Sequence, residues 1–536
     1  MMDQPHNPQL PLTGGRLTLD DVAAVARNGA RVHLAHDARL RMAATRAWVA
    51  SVARGELLGE DGEPMPVYGV NTGYGSLARV RLPLDAIREL SLNLVRSHAA
   101  GMGEPVEPEV VRAMMVLRAN ALAKGASGCR PALVDTLCEM LAKDVVPVVP
   151  SRGSCGSSGD LAPLSHLGLV LFRGEEEDEA SSGMAWHKGV MMSGLKAMAA
   201  AGIPRLIPLP KEGLAICNGA QLTTAYASLA VHDASRLALD ADIAASMSFE
   251  ALRGTLRAFH PDVHVLRPYP GAMASAAAVR GVTAGSSLAD SLPEKVQDAY
   301  SLRCVPQVHG SVRDGLRFVR SQVEIELNSA TDNPIFLLND PSANKAFSAG
   351  LFHGEPIGLA ADHLRLVLCE LAAISERRIY RLATGTLSAR LPPLLVQKDR
   401  PGLGLLAPQA TAAALVAECR SLGWPAGSDS IPTCEDQEDM VAMSTTAARR
   451  AWQVMQSARR VIAIEMMSAA KALRWRLENE PGTVLGIGTA AAYHCIVAGQ
   501  TDDMTPSKRI EVVEAILASG DVLQAVVTAG VPLEVA

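Results

Sequence analysis

Residues 153–166 read GSCGSSGDLAPLSH, a run of small residues that leads into an apolar segment. Asp160 begins this segment, in which leucines recur at helical spacing as far as Leu171. One interpretation is a flexible glycine and serine loop with Asp160 as the cap of a helix. A second is a phosphate-binding loop, although no Gly-Lys-Ser/Thr sequence follows it.

A third interpretation of the same residues is chemical. The amide nitrogen of Gly159 attacks the carbonyl carbon of Ser157, water leaves, and Ser158 loses its hydroxyl as a second water. The product is a five-membered ring that carries a methylidene group, an electrophile made from backbone. Gly159 suits this reaction because no side chain blocks the approach of its nitrogen. These residues alone leave the three interpretations open.

Composition favours a helical protein. Of the 536 residues, 48% are hydrophobic but only 4% are aromatic, which is typical of long packed helices rather than β-sandwiches. The chain length suggests about two to four domains. A net charge of −6 and a pI of about 6.1 indicate neither nucleic acid nor an anionic membrane surface as a partner.

The cysteines and the hydropathy indicate the cellular compartment in which the protein is expected. None of the nine cysteines forms a C-x-x-C pair, and their odd number favours reduced thiols. The sequence begins without a basic and apolar signal pattern, and no apolar run reaches the roughly 18 residues of a membrane span. We therefore expect a soluble cytoplasmic protein with no membrane partner.

Apolar periodicity predicts helices along most of the chain. Shorter helices are expected at 19–28, 37–52, 84–98 and 107–124, and a final one follows Thr505 and runs to Leu523. Long segments at 218–253, 309–329, 355–384 and 437–475 are rich in Ala, Leu and Met. Helices this long should pack side by side as a bundle. The acidic stretch 174–187 is expected to be a solvated excursion.

The string at 153–166 resembles the signature of the histidine and phenylalanine ammonia-lyase family. Members of that family carry the prosthetic group 4-methylidene-imidazol-5-one (MIO). The resemblance implies that Ser157, Ser158 and Gly159 cyclise to form it. The usual triad is Ala-Ser-Gly, but the first residue contributes only its backbone carbonyl to the ring, so Ser157 is chemically compatible.

Two further loops in the N-terminal part resemble family motifs. The string YGVNTGYG at 68–75 implies that Tyr68 is the catalytic base, for which the site must favour its phenolate; alternatively, Tyr68 packs half-buried. The string RSHAAGMGEP at 96–105 is similar to the histidase form of the substrate-selectivity loop. It implies that His98 contacts the substrate side chain, whereas a histidine that ends a helix is often a cap or core residue.

The string QDAYSLRCVPQ at 297–307 is the longest of these motifs. Arg303 could be an ordinary surface charge, although a guanidinium is also the natural bidentate partner of an α-carboxylate. The string resembles a family motif, and the resemblance implies that Arg303 binds the substrate carboxylate. The resemblance implies that Tyr300 and Gln297 lie beside the prosthetic group.

Two shorter strings carry further resemblance. In KEGLAICNGAQ at 211–221, Asn218 would hydrogen-bond the prosthetic group or the substrate, whereas by itself it would be a helix N-cap. In GLFHGEP at 350–356, Phe352 resembles a residue that packs on the ring. Leu351 replaces the asparagine that usually precedes it.

The string DSIPTCEDQEDMVAM at 429–443 resembles the histidase pattern, in which Glu438 would pair with an imidazole. Met440 and Ala442 depart from the His and Ser of that pattern. The alternative is an acidic helix start that places carboxylates at the positive end of a helix dipole.

The motifs run from Tyr68 to about Ala448 in the order of the family. They imply a mainly α fold of the ammonia-lyase and fumarase-like type, a homotetramer with active sites shared between chains, and no metal. We expect an N-terminal region at 1–210, a long-helix bundle at 211–475 and a C-terminal helical segment at 476–536.

The implied activity is the elimination of ammonia from L-histidine to give urocanate. The substrate amine would add to the methylidene derived from Ser158 and so become a good leaving group. The departures from the family pattern keep open an aminomutase or a lyase of tyrosine or phenylalanine. A non-catalytic homologue is a third hypothesis, which the intact Tyr68, Ser158 and Arg303 disfavour.

Overall fold

A computed structural model describes residues 9–74, 80–396, 402–501 and 503–534. Contacts divide the chain into two compact units. The first consists of residues 1–229, 321–362 and 425–449, and the second of 230–320, 363–424 and 450–536. The three-part division expected from the sequence stays a prediction.

The described chain is mainly helical, as the composition predicts. Its helices are α1 Leu19–Asn28, α2 His36–Ala53, α3 Leu84–His98, α4 Pro108–Ala123, α5 Pro131–Ala142, α6 Leu161–Leu171, α7 Gly194–Ala200, α8 Glu212–Cys217, α9 Gln221–Ala251, α10 Pro261–Val265, α11 Pro270–Val282, α12 Tyr300–Arg303, α13 Val305–Glu326, α14 Glu355–Ala383, α15 Leu406–Leu422, α16 Ser444–Asn479, α17 Ile487–Ala498, α18 Pro506–Ser519 and α19 Asp521–Thr528. Among the described residues, none of these helices is long and apolar enough to cross a membrane.

The strands are short and form four small sheets. They are β1 Leu10–Leu12, β2 Val32–Leu34, β3 Met102–Pro105, β4 Val145–Pro147, β5 Pro150–Arg152, β6 Met184–His187, β7 Val190–Ser193, β8 Ile335–Phe336 and β9 Ala346–Phe347. The first two pair in parallel, β3 pairs with β5, β6 lies between β4 and β7, and β8 pairs with β9. The acidic excursion is therefore solvated only in part, because 175–180 are exposed but 184–187 form β6.

Several predicted helix boundaries are wrong: the helix expected at 309–329 is Val305–Glu326, and two others have a clear local cause. The helix expected from Gln437 begins at Ser444, because Glu438 forms a β-bridge with Thr433 and Met443 has a φ of 46°, which is not helical. The last predicted helix is interrupted at Gly520, whose φ of 85° ends α18 in the left-handed conformation.

The core of the first unit surrounds α4. Val110, Met114, Leu117 and Ala121, which share one face of this helix, are all buried. This helix packs against α1 and α5, while α6 packs against α3 and α8. The arrangement supports α6, and with it the glycine-rich loop that precedes α6 in the chain, on a dense apolar layer.

The core of the second unit contains a buried charge network as well as apolar side chains. Glu465 of α16 accepts hydrogen bonds from Arg378 Nε at 2.5 Å and Nη2 at 2.8 Å. Asp242 of α9 accepts from the ring of His309 at 2.7 Å and from Arg313 Nη2 at 2.6 Å. Four long helices of the expected bundle, α9, α13, α14 and α16, thus share paired, buried charges in this unit.

Candidate active site

The loop at 153–160 connects β5 to α6 and is packed rather than flexible. Gly159 has a φ of 73°, and a Cβ on it would lie 2.4 Å from the carbonyl of Gly219. The amide of Asp160 donates to that same carbonyl at 2.7 Å. A side chain at position 159 would clash with Gly219, so the packed loop requires the glycine whose amide nitrogen the cyclisation would use.

Asp160 anchors this loop and does not cap α6 with its side chain, contrary to the first interpretation of the sequence. Its buried carboxylate accepts from Ser154 Oγ at 2.8 Å, from the backbone and hydroxyl of Thr223 at 2.8 and 3.0 Å, and from Thr445 Oγ1 at 2.5 Å. Burial raises its pKa, although these hydrogen bonds act in the opposite direction. The side chain therefore ties the loop to the starts of α9 and α16.

Glu438 lies directly beside the triad. Its carboxylate accepts from the hydroxyls of Ser157 at 2.9 Å, Thr433 at 2.6 Å and Ser158. Burial acts to raise the pKa of Glu438, but hydrogen bonds, led by those from Ser158 and Thr433, bring it below its ordinary value. Glu438 is consequently an anion at neutral pH, within contact of the residues expected to cyclise.

Glu438 reaches this position because its segment is not a helix. Thr433 and Glu438 form an isolated β-bridge, and Val441 donates its amide to Ser430 Oγ at 2.8 Å. The alternative of an acidic helix start is therefore wrong. Met440 is exposed, whereas Ala442 is buried.

Asn218 contacts the triad from the other side. It ends α8 and donates its Nδ2 to the carbonyl of Ser158 at 2.7 Å. Arg118 Nη1 holds this turn by donating to the Asn218 carbonyl at 2.8 Å. Asn218 is thus not the helix N-cap that its position suggested. Its Oδ1 is a buried acceptor without a partner among the described residues, and an orphaned polar atom of this kind fits a site for a bound polar group.

The loop that contains Phe352 also packs on the triad loop. Gly354 donates its amide to the carbonyl of Gly156 at 2.9 Å, and the ring Nε2 of His353 lies 3.1 Å from the Met440 carbonyl. Phe352 is half-buried and Leu351 is exposed. The segment with Leu351 and the segment with Met440, both of which depart from the family pattern, therefore contact each other.

His98 is the last residue of α3 and is half-buried. Its Nδ1 lies 2.8 Å from the Leu94 carbonyl, a contact that requires a proton on Nδ1 and leaves Nε2 as the acceptor of the neutral ring. Gly101, three residues later, donates its amide to Nε2 of His166 in α6 at 3.2 Å. Burial lowers the pKa of His166, which keeps that acceptor neutral.

Tyr68 lies in a tight loop of the first unit. Its ring meets that of Tyr74 edge to face, with centroids 6.1 Å apart. Between them, Gly69 has a φ of 68°, and a Cβ there would lie 2.9 Å from the side chain of Leu214 in α8. The loop therefore packs against the helix that ends at Asn218. The end of this motif, from residue 75, lies outside the described residues.

Arg303, which is expected to bind the substrate carboxylate, lies in the second unit with Gln297 and Tyr300, which are expected beside the prosthetic group. Gln297 and Tyr300 are exposed, and the Arg303 guanidinium lies over the Tyr300 ring at 4.7 Å. Arg303 Nε is buried without a partner among the described residues. Arg378 Nη1 donates to the Ser301 carbonyl at 3.3 Å, which connects this short helix to the buried charge network. An orphaned guanidinium donor is suited to an anionic ligand rather than to an ordinary surface role.

The sequence matches the family model for aromatic amino acid lyase over residues 17–498. The chain belongs to the aromatic amino acid lyase family. Curated relatives include the histidine ammonia-lyase of Myxococcus xanthus, which is 43% identical and covers 97% of this chain and 98% of its own length. That of Caldanaerobacter subterraneus subsp. tengcongensis is 44% identical over 90% of this chain and 91% of its own.

Solved structures of two other proteins have the same fold. Histidine ammonia-lyase from Trypanosoma cruzi superimposes with a TM-score of 0.87 at 34% identity, covering 98% of this chain and 96% of its own. Tyrosine aminomutase from Streptomyces globisporus reaches a TM-score of 0.88 at 32% identity, over 98% and 100%. The expectations of a mainly α ammonia-lyase fold and of a carbon–nitrogen lyase enzyme are confirmed.

Sequence reasoning missed several residues of this lyase that hold the triad loop. Thr223 and Thr445 lie in no quoted pattern with a chemical role, and Asp160 follows Gly159 but was interpreted as a cap. An aspartate directly after the triad was the available signal, because its buried carboxylate needs several donors. Among the described residues, no group of three or more His, Cys, Asp and Glu could hold a metal ion.

Proposed function

We propose that this protein eliminates ammonia from L-histidine to give urocanate. The observation that carries the proposal is the position of Glu438, an anionic carboxylate in hydrogen-bond contact with Ser157 and Ser158. A carboxylate there can accept the N–H of an imidazole, a group that tyrosine and phenylalanine lack. The curated relatives named histidine ammonia-lyase support the same substrate.

The triad residues fit an MIO group. Gly159 is packed with its amide free of side-chain obstruction, Asn218 donates to the Ser158 carbonyl, and the Oδ1 of Asn218 is a buried acceptor in need of a donor. Ser157 is compatible because its side chain lies outside the ring atoms. Once formed, MIO supplies an electrophile that activates the α-amine of the substrate as a leaving group.

The surrounding residues have distinct proposed roles. Tyr68 removes the β-proton as a phenolate. His98 offers the lone pair on Nε2 to an imidazole N–H, and Glu438 accepts the other edge of the same ring. Phe352 packs beside the group. Together these contacts orient the substrate before the C–N bond breaks.

Arg303 binds the substrate carboxylate through its planar fork, and Gln297 and Tyr300 lie beside the prosthetic group. The two latter side chains are exposed in a single chain. This exposure supports a homotetramer in which several chains complete each active site. The nine cysteines, all free thiols, support a cytoplasmic location.

A second candidate is an MIO-dependent aminomutase or a lyase of tyrosine or phenylalanine. It is favoured by the departures at Ser157, Leu351, Met440 and Ala442, of which Ser157 contacts Glu438 directly. A tyrosine aminomutase is among the similar solved structures. An aminomutase returns ammonia to the β-carbon, so its product distinguishes it from a lyase.

One experiment tests both candidates. The purified protein is incubated separately with L-histidine, L-tyrosine and L-phenylalanine; unsaturated acids are followed by absorbance and β-amino acids by chromatography. Urocanate from L-histidine at the highest kcat/KM is the expected result. Release of ammonia, or formation of a β-amino acid, from tyrosine or phenylalanine alone would overturn the histidine assignment and leave the family assignment intact.

A further inference from the structure

The turn of helix that carries Arg303 is too short to fix its own orientation. In α12 the amides of Leu302 and Arg303 both donate to the Ala299 carbonyl at 3.0 Å. Ala299, the N-cap, has no side-chain group that could cap the helix, and the non-helical Cys304 separates α12 from α13. A single helical turn fixes many dihedral angles for few hydrogen bonds and is marginal by itself. The direction in which α12 presents Arg303 therefore depends on contacts with other elements.

Arg378 of α14 makes such a contact. Its Nη1 donates to the carbonyl of Ser301, two residues before Arg303, at 3.3 Å. Nε and Nη2 of the same guanidinium donate to the two oxygens of Glu465 at 2.5 and 2.8 Å, and both side chains are fully buried. Because this bidentate pair fixes the plane of the guanidinium, it also fixes the direction of Nη1.

His309 contacts the same Nη1 from a second side. Its Nε2 lies 3.4 Å from Nη1 of Arg378, and its Nδ1 lies 2.7 Å from a carboxylate oxygen of Asp242. The carboxylate requires the proton on Nδ1, so Nε2 has the lone pair that accepts from Arg378. Burial lowers the pKa of His309, although Asp242 acts in the opposite direction, and the ring stays neutral. Nη1 therefore meets two acceptors, the Ser301 carbonyl and the His309 ring.

Glu465 is itself held by neutral donors. The hydroxyls of Ser248 in α9 and Ser375 in α14 donate to its two oxygens at 2.7 Å each. The guanidinium of Arg378 cannot turn away from this carboxylate without breaking buried hydrogen bonds. Because desolvation offsets much of the attraction in a buried ion pair, a gain in stability is a weak explanation for the pair.

We propose that Arg378 is a positioning residue for the substrate carboxylate: it holds α12 through the Ser301 carbonyl and so sets the orientation of the Arg303 guanidinium. The proposal rests on the carboxylate-binding role proposed above for Arg303. A bidentate contact between a guanidinium and a carboxylate tolerates little rotation. Loss of the contact from Nη1 therefore weakens binding of the carboxylate and leaves the contacts to the rest of the ligand in place.

Binding of two ligands that differ in the charge of one group tests the proposal. Urocanate and its uncharged amide are titrated separately into the intact protein, and each dissociation constant is measured by calorimetry. In Arg378→Lys, the ammonium keeps a charge beside Glu465 but loses the planar fork that also reaches Ser301. The dissociation constant of urocanate should rise about tenfold, and that of the amide should change little.

Arg476→Lys is the matched control. Arg476 is another buried guanidinium of the second unit, and it donates to Glu480 and to the carbonyls of Ala251 and Ala389 rather than to α12. Its ratio of the two dissociation constants should equal that of the unmodified protein. If Arg378→Lys does not fold, the double variant Arg378→Gln with Glu465→Gln removes both buried charges together and should show the same selective loss.

The outcomes separate this proposal from the proposed function. An unchanged ratio in a folded Arg378 variant, or equal weakening of both ligands, would overturn the positioning role. An unchanged ratio in Arg303→Lys would overturn the carboxylate-binding role of Arg303, and the positioning role with it. Selective loss in Arg303→Lys but not in Arg378→Lys would overturn the positioning role alone. If the unmodified protein binds no urocanate, the histidine assignment fails, and cinnamate with its amide serves as the ligand pair.

Discussion

Glu438 accepts a hydrogen bond from the hydroxyl of Ser157 at 2.9 Å. Ser157 is the residue that departs from the Ala-Ser-Gly triad typical of the family, and Glu438 is the residue expected to hold the substrate ring. Cyclisation would remove the Ser158 hydroxyl but not that of Ser157, whose side chain lies outside the ring. Glu438 would then keep Ser157 and Thr433 as donors in the mature enzyme.

Cyclisation of the triad predicts an intact mass that is lower than the sequence mass by two water molecules. Ser158→Ala should lose nearly all activity, because alanine has no hydroxyl to eliminate. Ser157→Ala is the matched control. Its measured mass should also be two water molecules lower than the mass calculated from its own sequence. Intact-protein mass spectrometry provides the measurement, and a protein of full sequence mass would contradict the MIO assignment.

Replacing Asp160 by asparagine should impair formation of the group and lower Tm. An amide presents an NH₂ to donors from Thr223 or Thr445, so at least one buried donor loses its acceptor, at a cost of about 1–3 kcal/mol. Intact mass measures how much of the group has formed, and thermal unfolding measures the change in Tm. Thr445→Ser keeps the hydroxyl and should resemble the unmodified protein. Full maturation with unchanged Tm in Asp160→Asn would show that the carboxylate is not the anchor.

Arg303→Lys should weaken transition-state binding by about 2–5 kcal/mol, the range for disrupting a buried charge pair, and kcat/KM should fall accordingly. Lysine retains the charge but not the planar fork, and Arg303 Nε is a buried donor in need of a partner. Steady-state kinetics with L-histidine measure the effect. A near-normal value would indicate that another residue binds the carboxylate.

His98 and Glu438 should together favour an imidazole side chain. A benzene ring in the same position would leave both without a partner, at roughly 1–3 kcal/mol for each unpaired group. The double variant His98→Phe with Glu438→Leu should therefore prefer L-phenylalanine to L-histidine, with the mass deficit retained. The measurement is the ratio of kcat/KM for L-phenylalanine to that for L-histidine. An unchanged preference for histidine would show that His98 and Glu438 do not determine specificity.

Asp240 should make the folded state less stable as pH rises. Burial raises its pKa to about 7, and the charge of Arg236 offsets this only in part. Because the unfolded state ionises near pH 4 and the folded state near 7, the free energy of unfolding falls between these values by about 4 kcal/mol and then levels off.

Asp240→Asn should remove this contribution, so that its Tm exceeds that of the unmodified protein at pH 8 and the difference shrinks towards pH 5. The exposed Asp262 offers a control in Asp262→Asn, for which no change is expected. Parallel pH profiles of Tm for Asp240→Asn and the unmodified protein would show that Asp240 does not titrate on unfolding.

Local features of the sequence predicted the helices well. Apolar spacing identified α1 and α3 with the bounds that the structure has, and α14 to within one residue at its end. The predicted start of the helix at Gln437 was wrong because residues 433–438 form a turn closed by the Thr433–Glu438 bridge, and this turn directs Glu438 to the serines. Helix propensity depends on neighbouring residues in the sequence, so it cannot account for a hydroxyl from a distant segment that binds the Glu438 carboxylate.

The sequence by itself determined the helical class, the family motifs and the chemical types at the site, because spacing and side-chain identity are local properties. Only the tertiary structure decided which side chains meet. Asp160 bonds to Thr223, 63 positions away, and to Thr445, 285 positions away. Glu438 reaches Ser157 across 281 positions. Such partners are selected by the burial of a carboxylate that must find donors, and burial arises only when the whole chain packs.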